Sequence, residues 1–409
     1  MASTDFPNRP IDVGLADPDV FQAGVPHEAF TELRKDAPVA WHADPGSPGF
    51  WSVHKYDDVV AVNRDNTTFS SNLKATLFWE MEEADLEQQR LMMLNMDPPM
   101  HTRYRRLVNK GFTPRMVGDL ETHIREMTCT ILDEVTAKGE FDFVTDVAAE
   151  LPLQVIAELV GVPHEDRHLM FDWSNRMVGA QDPEYGVLPE EASAAAMELF
   201  AYAHQLAAEK RANPHDDLIS VLTTAEVDGE RLSELEIDLF FMLLTVAGNE
   251  TTRNLISHGM LALMEHPDQY ELMRNDPTLV DSGVEEMLRW ASPVMHFRRT
   301  ASRECEIGGQ TIAAGDKVVI WYISANRDED VFDDPFTFDV RRENNQHISF
   351  GGGGPHFCLG ANLARMEARV MFDEIVKRFG TIEATGPTQR LRSNFINGIK
   401  HLPVRVKPA

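Results

Sequence analysis

Cysteine is scarce in this chain: three in 409 residues, Cys129, Cys305 and Cys358. A small odd number excludes a disulfide framework and points to a reducing compartment, the cytoplasm. Long apolar runs are missing too. The longest uncharged one, Leu239 to Gly248, is about half of the ~20 residues a membrane span needs. Met1 to Gly14 is polar and proline-containing, with no basic stretch leading into an apolar one, so no signal peptide is expected. Basic residues are outnumbered, 38 against 66 acidic ones, for a net charge of −28. That balance argues against nucleic acid and anionic membranes as partners. No repeat, low-complexity tract or long linker divides the chain. A soluble, cytoplasmic protein built as one domain over residues 1–409 is expected.

What is present centres on Phe350-Gly-Gly-Gly-Gly-Pro-His-Phe-Cys358-Leu-Gly360. Glycines let a backbone turn tightly and approach a bulky planar group. No Gly-Lys-Ser/Thr follows them, so a phosphate loop is a weak reading. A helical pattern begins at Ala361. A cysteine just before a helix start feels the positive end of the helix dipole, which favours the thiolate. Two readings stay open from these residues alone: a structural cysteine in a turn, or one soft anionic ligand of the kind a haem iron needs.

In order, the chain offers a helix over Asp19 to Lys35 and a hairpin of Val39 to Trp41 with Phe50 to Val53. A short helix follows over Tyr56 to Arg64. Phe69 to Pro99 is long and irregular, rich in Met and aromatic residues. It reads either as a packed loop or as an adaptable wall over an apolar ligand. In His101 to Phe112, helical spacing puts His101 and Arg105 on one face and Arg103, Arg106 and Lys110 on the other. Helical patterns then dominate to Glu265, broken at Pro163, Pro183, Pro189 and Pro214. A capping box at Ser233 and Glu236 opens the most apolar helix, Ile237 to Leu263. Inside it sits Ala247-Gly-Asn-Glu-Thr-Thr252, where Gly248 weakens the helix and Thr251 can bend it. That polar group is either a bend satisfied internally or a groove for water or a small diatomic molecule. Val280 to Trp290 carries Glu286 and Arg289 at i,i+3. Strands are expected at Phe297 to Ala301, Glu304 to Ile307 and Lys317 to Tyr322, then a polar meander over Asn326 to Gln346. A small β tail spans Phe395 to Val406. The balance is mainly α with small β-sheets, an α+β class.

Together these pieces resemble the cytochrome P-450 family of haem-thiolate monooxygenases, over nearly the whole chain and in order. The Cys358 loop is similar to the family's haem signature. Ala247 to Thr252 resembles its oxygen-activating motif, Glu286-Met-Leu-Arg289 its Glu-x-x-Arg motif, and Phe338 to Arg342 its meander. One departure stands out: Phe350 lies eight residues before the cysteine, where seven is common. The longer loop is similar to a bacterial subgroup acting on sterol side chains and methyl-branched lipids.

The resemblance implies a triangular helical prism around a buried haem b, with Cys358 as axial metal ligand. His101, Arg105, Arg299 and His356 would pair with the haem propionates, and Phe350, Gly353, Ala247 and Gly360 would touch the cofactor. Glu250 and Thr251 would be the catalytic acid–alcohol pair that delivers protons to O2. Glu286, Arg289 and Arg342 would form a structural ion network. The implied apolar pocket takes Leu243, Val246, Ala247, Met295, Phe297, Phe395 and Ile396, under a lid with Phe78, Trp79, Met92 and Met93. The chain has no flavin, nicotinamide or iron–sulfur motif. A separate ferredoxin and its NAD(P)H-dependent reductase are therefore the implied partners, docking on Arg103, Arg106, Lys110, Arg365 and Arg369. The activity implied is insertion of one oxygen of O2 into a C–H bond of a steroid side chain, branched or fatty acid, or terpenoid. Rival readings are a biosynthetic oxidase of a polyketide, macrolide or peptide, and a haem protein that binds gas or lipid without turnover.

Overall fold

The computed structural model describes residues 13–44, 46–109, 112, 118, 120–178, 182–184, 189–227 and 229–409. The first expected helix is two. α1 (Pro18–Ala23) stops before Pro26, and α2 (His27–Asp36) starts after it. Proline has no N–H to continue the helical ladder, which is why one pattern becomes two elements. The hairpin forms as read, β1 (Val39–His42) antiparallel to β2 (Phe50–Val53). α3 (Tyr56–Arg64) follows, then β3 (Phe69–Ser70), α4 (Glu83–Gln89) and α5 (Met100–Val108).

The helical layer comprises α6 (Glu121–Lys138), α7 (Glu150–Val160), α8 (Arg167–Val178), α9 (Pro189–Ala212) and α10 (Leu218–Thr224). β4 (Glu140–Asp142) lies between α6 and α7. The tiny hairpin β5 (Glu226–Val227) and β6 (Glu230–Arg231) precedes α11 (Glu234–Glu265). α11 begins at a complete capping box: Glu236 N–H donates to Ser233 Oγ at 3.2 Å, and Ser233 N–H to Glu236 Oε2 at 2.7 Å. Two of the orphan N–H groups of the helix start are satisfied this way. α11 is continuous through Gly248 and Thr251, and Thr251 Oγ1 bonds back to the Ala247 carbonyl at 2.8 Å. It is buried against α7, α8, α9, α13 (Val280–Ala291) and α15 (Ala361–Arg378), in the largest apolar cluster. Each buried Leu or Phe there contributes ~1.5–3 kcal/mol.

α12 (Pro267–Asn275) precedes α13. After α13 come β7 (His296–Ala301), β8 (Cys305–Ile307), β9 (Gln310–Ile312), β10 (Lys317–Trp321) and the short α14 (Tyr322–Ala325). The main sheet has the order β1-β2-β10-β7-β3, with β10 parallel to β2 and every other pair antiparallel. One face packs Val318 and Ile320 over Val59 and Val62 of α3. The other packs Val319 and Trp321 under Phe21 and Phe30 of the first two helices. After α15, β11 (Phe379–Ala384), β12 (Gln389–Arg390), β13 (Ile399–His401) and β14 (Pro403–Pro408) close the chain. β14 sits between β11 and β4.

Candidate active site

Along α11, burial fails on one line. Leu243 and Thr251 are half-buried and Ala247 is exposed, while Leu244, Thr245, Asn249, Glu250 and Thr252 are buried. Steps of four keep residues on one helix face. A line open to solvent in the middle of the most enclosed helix is the wall of an internal cleft. Val246 flanks it, half-buried. α11 packs against α15, whose start follows the Cys358 loop, and Cys358 itself is exposed.

Four successive glycines, Gly351 to Gly354, have φ of +99°, +58°, +96° and +83°, which side chains resist. Their role differs from the one read in the sequence. A Cβ on Gly354 would lie 2.4 Å from the Asn63 carbonyl oxygen, and one on Gly353 3.2 Å from Arg64 Nε. This part of the loop nests on the end of α3. Gly360 has open space where its side chain would be. Phe350 anchors the loop: its carbonyl accepts from Cys358 N–H at 3.0 Å, and the Arg365 guanidinium lies 4.5 Å over its ring. Although Cys358 is open at the surface of the loop, the protein packed around it pushes its thiol up, against the Gly360 N–H and the guanidiniums of Arg105 and Arg365.

Next to it the structure gathers four donors. The rings of His101 and His356 are 4.2 Å apart. Both imidazoles are neutral: burial and the neighbouring Arg105 bring His101 to about 4, and burial, Arg299 and His101 bring His356 to about 2. His101 Nδ1 and His356 Nε2 have no partner. Arg299 is buried, bonded only to the Arg298 carbonyl at 2.9 Å and weakly to Asn63. Arg105 donates to Asn109 at 3.1 Å. Donors of this number, His101 and Arg299 buried and Arg105 and His356 half-buried, call for anionic acceptors. The two carboxylates of a haem fit them, and Cys358 fits its iron.

Other expectations divide. Phe297 and Phe395 stand edge to face at 5.5 Å, both half-buried. Phe78 and Met295 belong instead to the cluster under the N-terminal helices. Ile396 is buried, bridged to Val294. Met93 is buried and Met92 half-buried, but Trp79 is 45% exposed at a surface groove. The basic docking set is mostly committed. Arg103 holds Glu236 at 2.7 Å and Glu230 at 2.5 Å, Arg365 holds Glu285 at 2.6 Å, and Arg369 holds Glu121 at 2.8 Å. Arg106 is exposed, and Lys110 lies outside the described residues.

Glu286 and Arg289 are fully buried and doubly bonded at 2.7 and 2.8 Å. Arg342 adds bonds to both Glu286 oxygens at 3.1 and 3.2 Å. The two arginines reach the carbonyls of Asn326, Pro335, Thr337 and Asp333, fastening the meander. Sequence reading missed Glu367, buried on α15 and pushed up to about 8 by burial. Its setting, Arg365-Met-Glu367-Ala-Arg369, looks like a solvated charge run, so no local signal marked it.

The fold and this site define a haem-thiolate enzyme. Residues 115–402 match the family Cytochrome P450, and the chain belongs to it. It is 45% identical to a steroid C26-monooxygenase of Rhodococcus jostii, over 98% of this chain and 86% of that one. It is 43% identical to a methyl-branched lipid omega-hydroxylase of Mycobacterium tuberculosis, over 98% of this chain and 95% of that one. A Mycobacterium marinum cytochrome P450 solved with pseudoionone superposes with a TM-score of 0.91 at 41% identity, covering 99% of this chain and all of that one. The protein is a P450 monooxygenase acting on a hydrophobic substrate with O2 and haem held by a cysteine thiolate. Among the described residues no helix is long and apolar enough to cross a membrane.

Proposed function

We propose that this chain hydroxylates the terminal methyl end of a steroid side chain or a methyl-branched lipid, in the cytoplasm. Electrons come from a separate ferredoxin and its NAD(P)H-dependent reductase. The observation that carries the reading is the open line Leu243–Ala247–Thr251, apolar at two positions and ending in a hydroxyl beside a buried carboxyl. The likeness to enzymes named for steroid C26 and lipid omega oxidation supports the choice of substrate.

Cys358 would hold the haem iron in this reading, and His101, Arg105, Arg299 and His356 would hold the haem carboxylates. When bound, haem supplies O2 activation and transfer of one oxygen atom into a C–H bond. Leu243, Val246, Ala247, Phe297 and Phe395 bind the apolar end of the substrate and exclude water. Such a wall gains about 25 cal/mol per Å2 buried, so it selects by shape and length more than by polar contacts. Glu250 would relay a proton through its buried carboxyl, and Thr251 would pass it on at Oγ1.

Spectral titration of the ferric protein tests this. A low-to-high-spin Soret shift with 3-keto steroids or branched fatty acids is the expected result. A shift confined to macrolides or peptides would favour a biosynthetic oxidase. Turnover with NADH, reductase and ferredoxin then separates an enzyme from a passive binder.

A further inference from the structure

β7 and β10 pair with His296 opposite Trp321, Arg298 opposite Val319 and Thr300 opposite Lys317. Opposite residues share a face, and alternate residues along a strand share it too. This is the face turned away from Phe297 and Arg299. It is short of acceptors. Both ring nitrogens of His296, Trp321 Nε1, Arg298 Nε and Thr300 Oγ1 are buried without a partner. Two cations lie among them, with Arg298 and Lys317 side chains only 3% and 2% exposed. Glu80, from the loop before α4, serves both: its Oε1 is 3.0 Å from Arg298 and 2.8 Å from Lys317, while the Trp79 carbonyl accepts from Arg298 at 3.3 Å and Ser47 Oγ from Lys317 at 3.2 Å. Asp44 stands farther off, 3.8 Å from Lys317. Glu80 is itself 36% exposed, so the positive charges are enclosed while their main counter-ion reaches water.

This polar seam adjoins the pocket wall. His296 stacks edge-on with Phe395 at 5.5 Å, and Phe395 in turn with Phe297. Buried donors in such excess require acceptors, from water or from a ligand. A carboxylate brings two oxygens and about four acceptor sites, and a planar guanidinium suits it.

We propose that Arg298 and Lys317 form the subsite for the carboxylate head of a long-chain acid substrate, which Glu80 fills until the incoming head displaces it. The proposal rests on the terminal-oxidation reading, because a molecule oxidised at its methyl end keeps its head group far from the iron. The surface groove of about 410 Å3 beside Glu80 also carries Glu82 and Asp85. An anion is repelled there, so in this proposal the head enters at the end of the seam where His296 meets Phe395, beside Phe78. Displaced Glu80 turns into water it already touches.

The test compares hexadecanoic acid with its methyl ester on the ferric holoenzyme, by Soret shift and independently by calorimetry. The readout is the ratio of the two affinities. Glu80→Gln raises the preference for the acid ~10-fold, and Lys317→Met brings it to unity. Arg298→Lys, which keeps the charge but loses the fork, lowers it ~3-fold and covers the case in which Lys317→Met does not fold. A ratio near one in every folded variant overturns the subsite; the seam is then merely hydrated. If a steroid still shifts the Soret band in that case, the hydroxylase reading stands without the subsite. If no ligand shifts the band while the calorimetric ratio follows the variants, the subsite stands and the terminal-oxidation reading falls.

Discussion

Glu250 and Arg253, one turn apart on α11, form an ion pair in which both side chains are almost wholly buried, 2% and 6% exposed. Arg253 also donates at 3.2 Å to Asn175 of α8, tethering the carboxylate to the next helix. Glu250 Oε1 and both polar atoms of Asn249 are buried without partners. Burial pushes the Glu250 carboxyl up and Arg253 pulls it back. The group thus has reason to hold a proton and a neighbour that limits how tightly.

This predicts two distinct defects. Thr251 Oγ1 donates at 2.8 Å to the Ala247 carbonyl, which leaves its lone pairs facing the open line. Thr251→Ala is expected to keep haem and substrate binding while product formed per NADH falls several-fold. Glu250→Gln is expected to slow product formation by ~100-fold, the low end for general acid–base catalysis. Unchanged product per NADH in Thr251→Ala, with steady-state oxidation and product measured together, would remove Thr251 from the proton path.

Gly248 serves packing. A Cβ there would lie 2.5 Å from Cδ1 and 2.7 Å from Cγ1 of Ile156 on α7. Overpacking costs ~1–3 kcal/mol, and the helix gains ~1 kcal/mol when glycine becomes alanine. Gly248→Ala is therefore expected to lose ~1 kcal/mol net, and Ile156→Val in the same chain to recover most of it. Denaturant melts of the two singles and the double give the coupling. Additive effects would mean that the two helices do not meet as described.

The Glu286 network is structural in consequence. Removing the carboxylate leaves Arg289 buried among carbonyls and releases Arg342. Breaking a buried pair this way costs ~3–5 kcal/mol. Glu286→Ala is expected to lose haem and unfold at lower denaturant, with no catalytic defect in whatever fraction stays folded. A fully stable, haem-replete variant with low turnover would contradict that.

The elements with strong local signals were legible in the chain. The capping box at Ser233, the hairpin at Val39 to Val53 and α3 formed where spacing put them, because each is fixed by residues close in sequence. Arg103 was misread for the opposite reason. Its partners Glu230 and Glu236 lie more than a hundred positions away, so helix periodicity showed only an outward base. Gly353 and Gly354 of the Cys358 loop looked like room for a ligand, and only the fold shows Arg64 and Asn63 filling that room. The Arg298–Lys317–Glu80 cluster had no signal at all, since three separate segments build it.

Glu367 supplies a test by pH alone. Folded, its carboxyl keeps a proton up to about pH 8; its ordinary value is 4.5. Between these values the folded state binds a proton that the unfolded chain has lost, so stability falls as pH rises. Between them the slope is ~1.4 kcal/mol per pH unit; the stability is fully retained below the ordinary value and lost as pH climbs towards about 8. Glu367→Gln has no proton to lose and should not show that slope. Melts of parent and variant holoenzyme at pH 5 and pH 8 are expected to differ little at the lower pH, and to favour the variant by a few kcal/mol at the higher one. Parallel pH profiles in the two proteins would mean that Glu367 titrates as an ordinary carboxylate, and that its burial is compensated by a partner or by water.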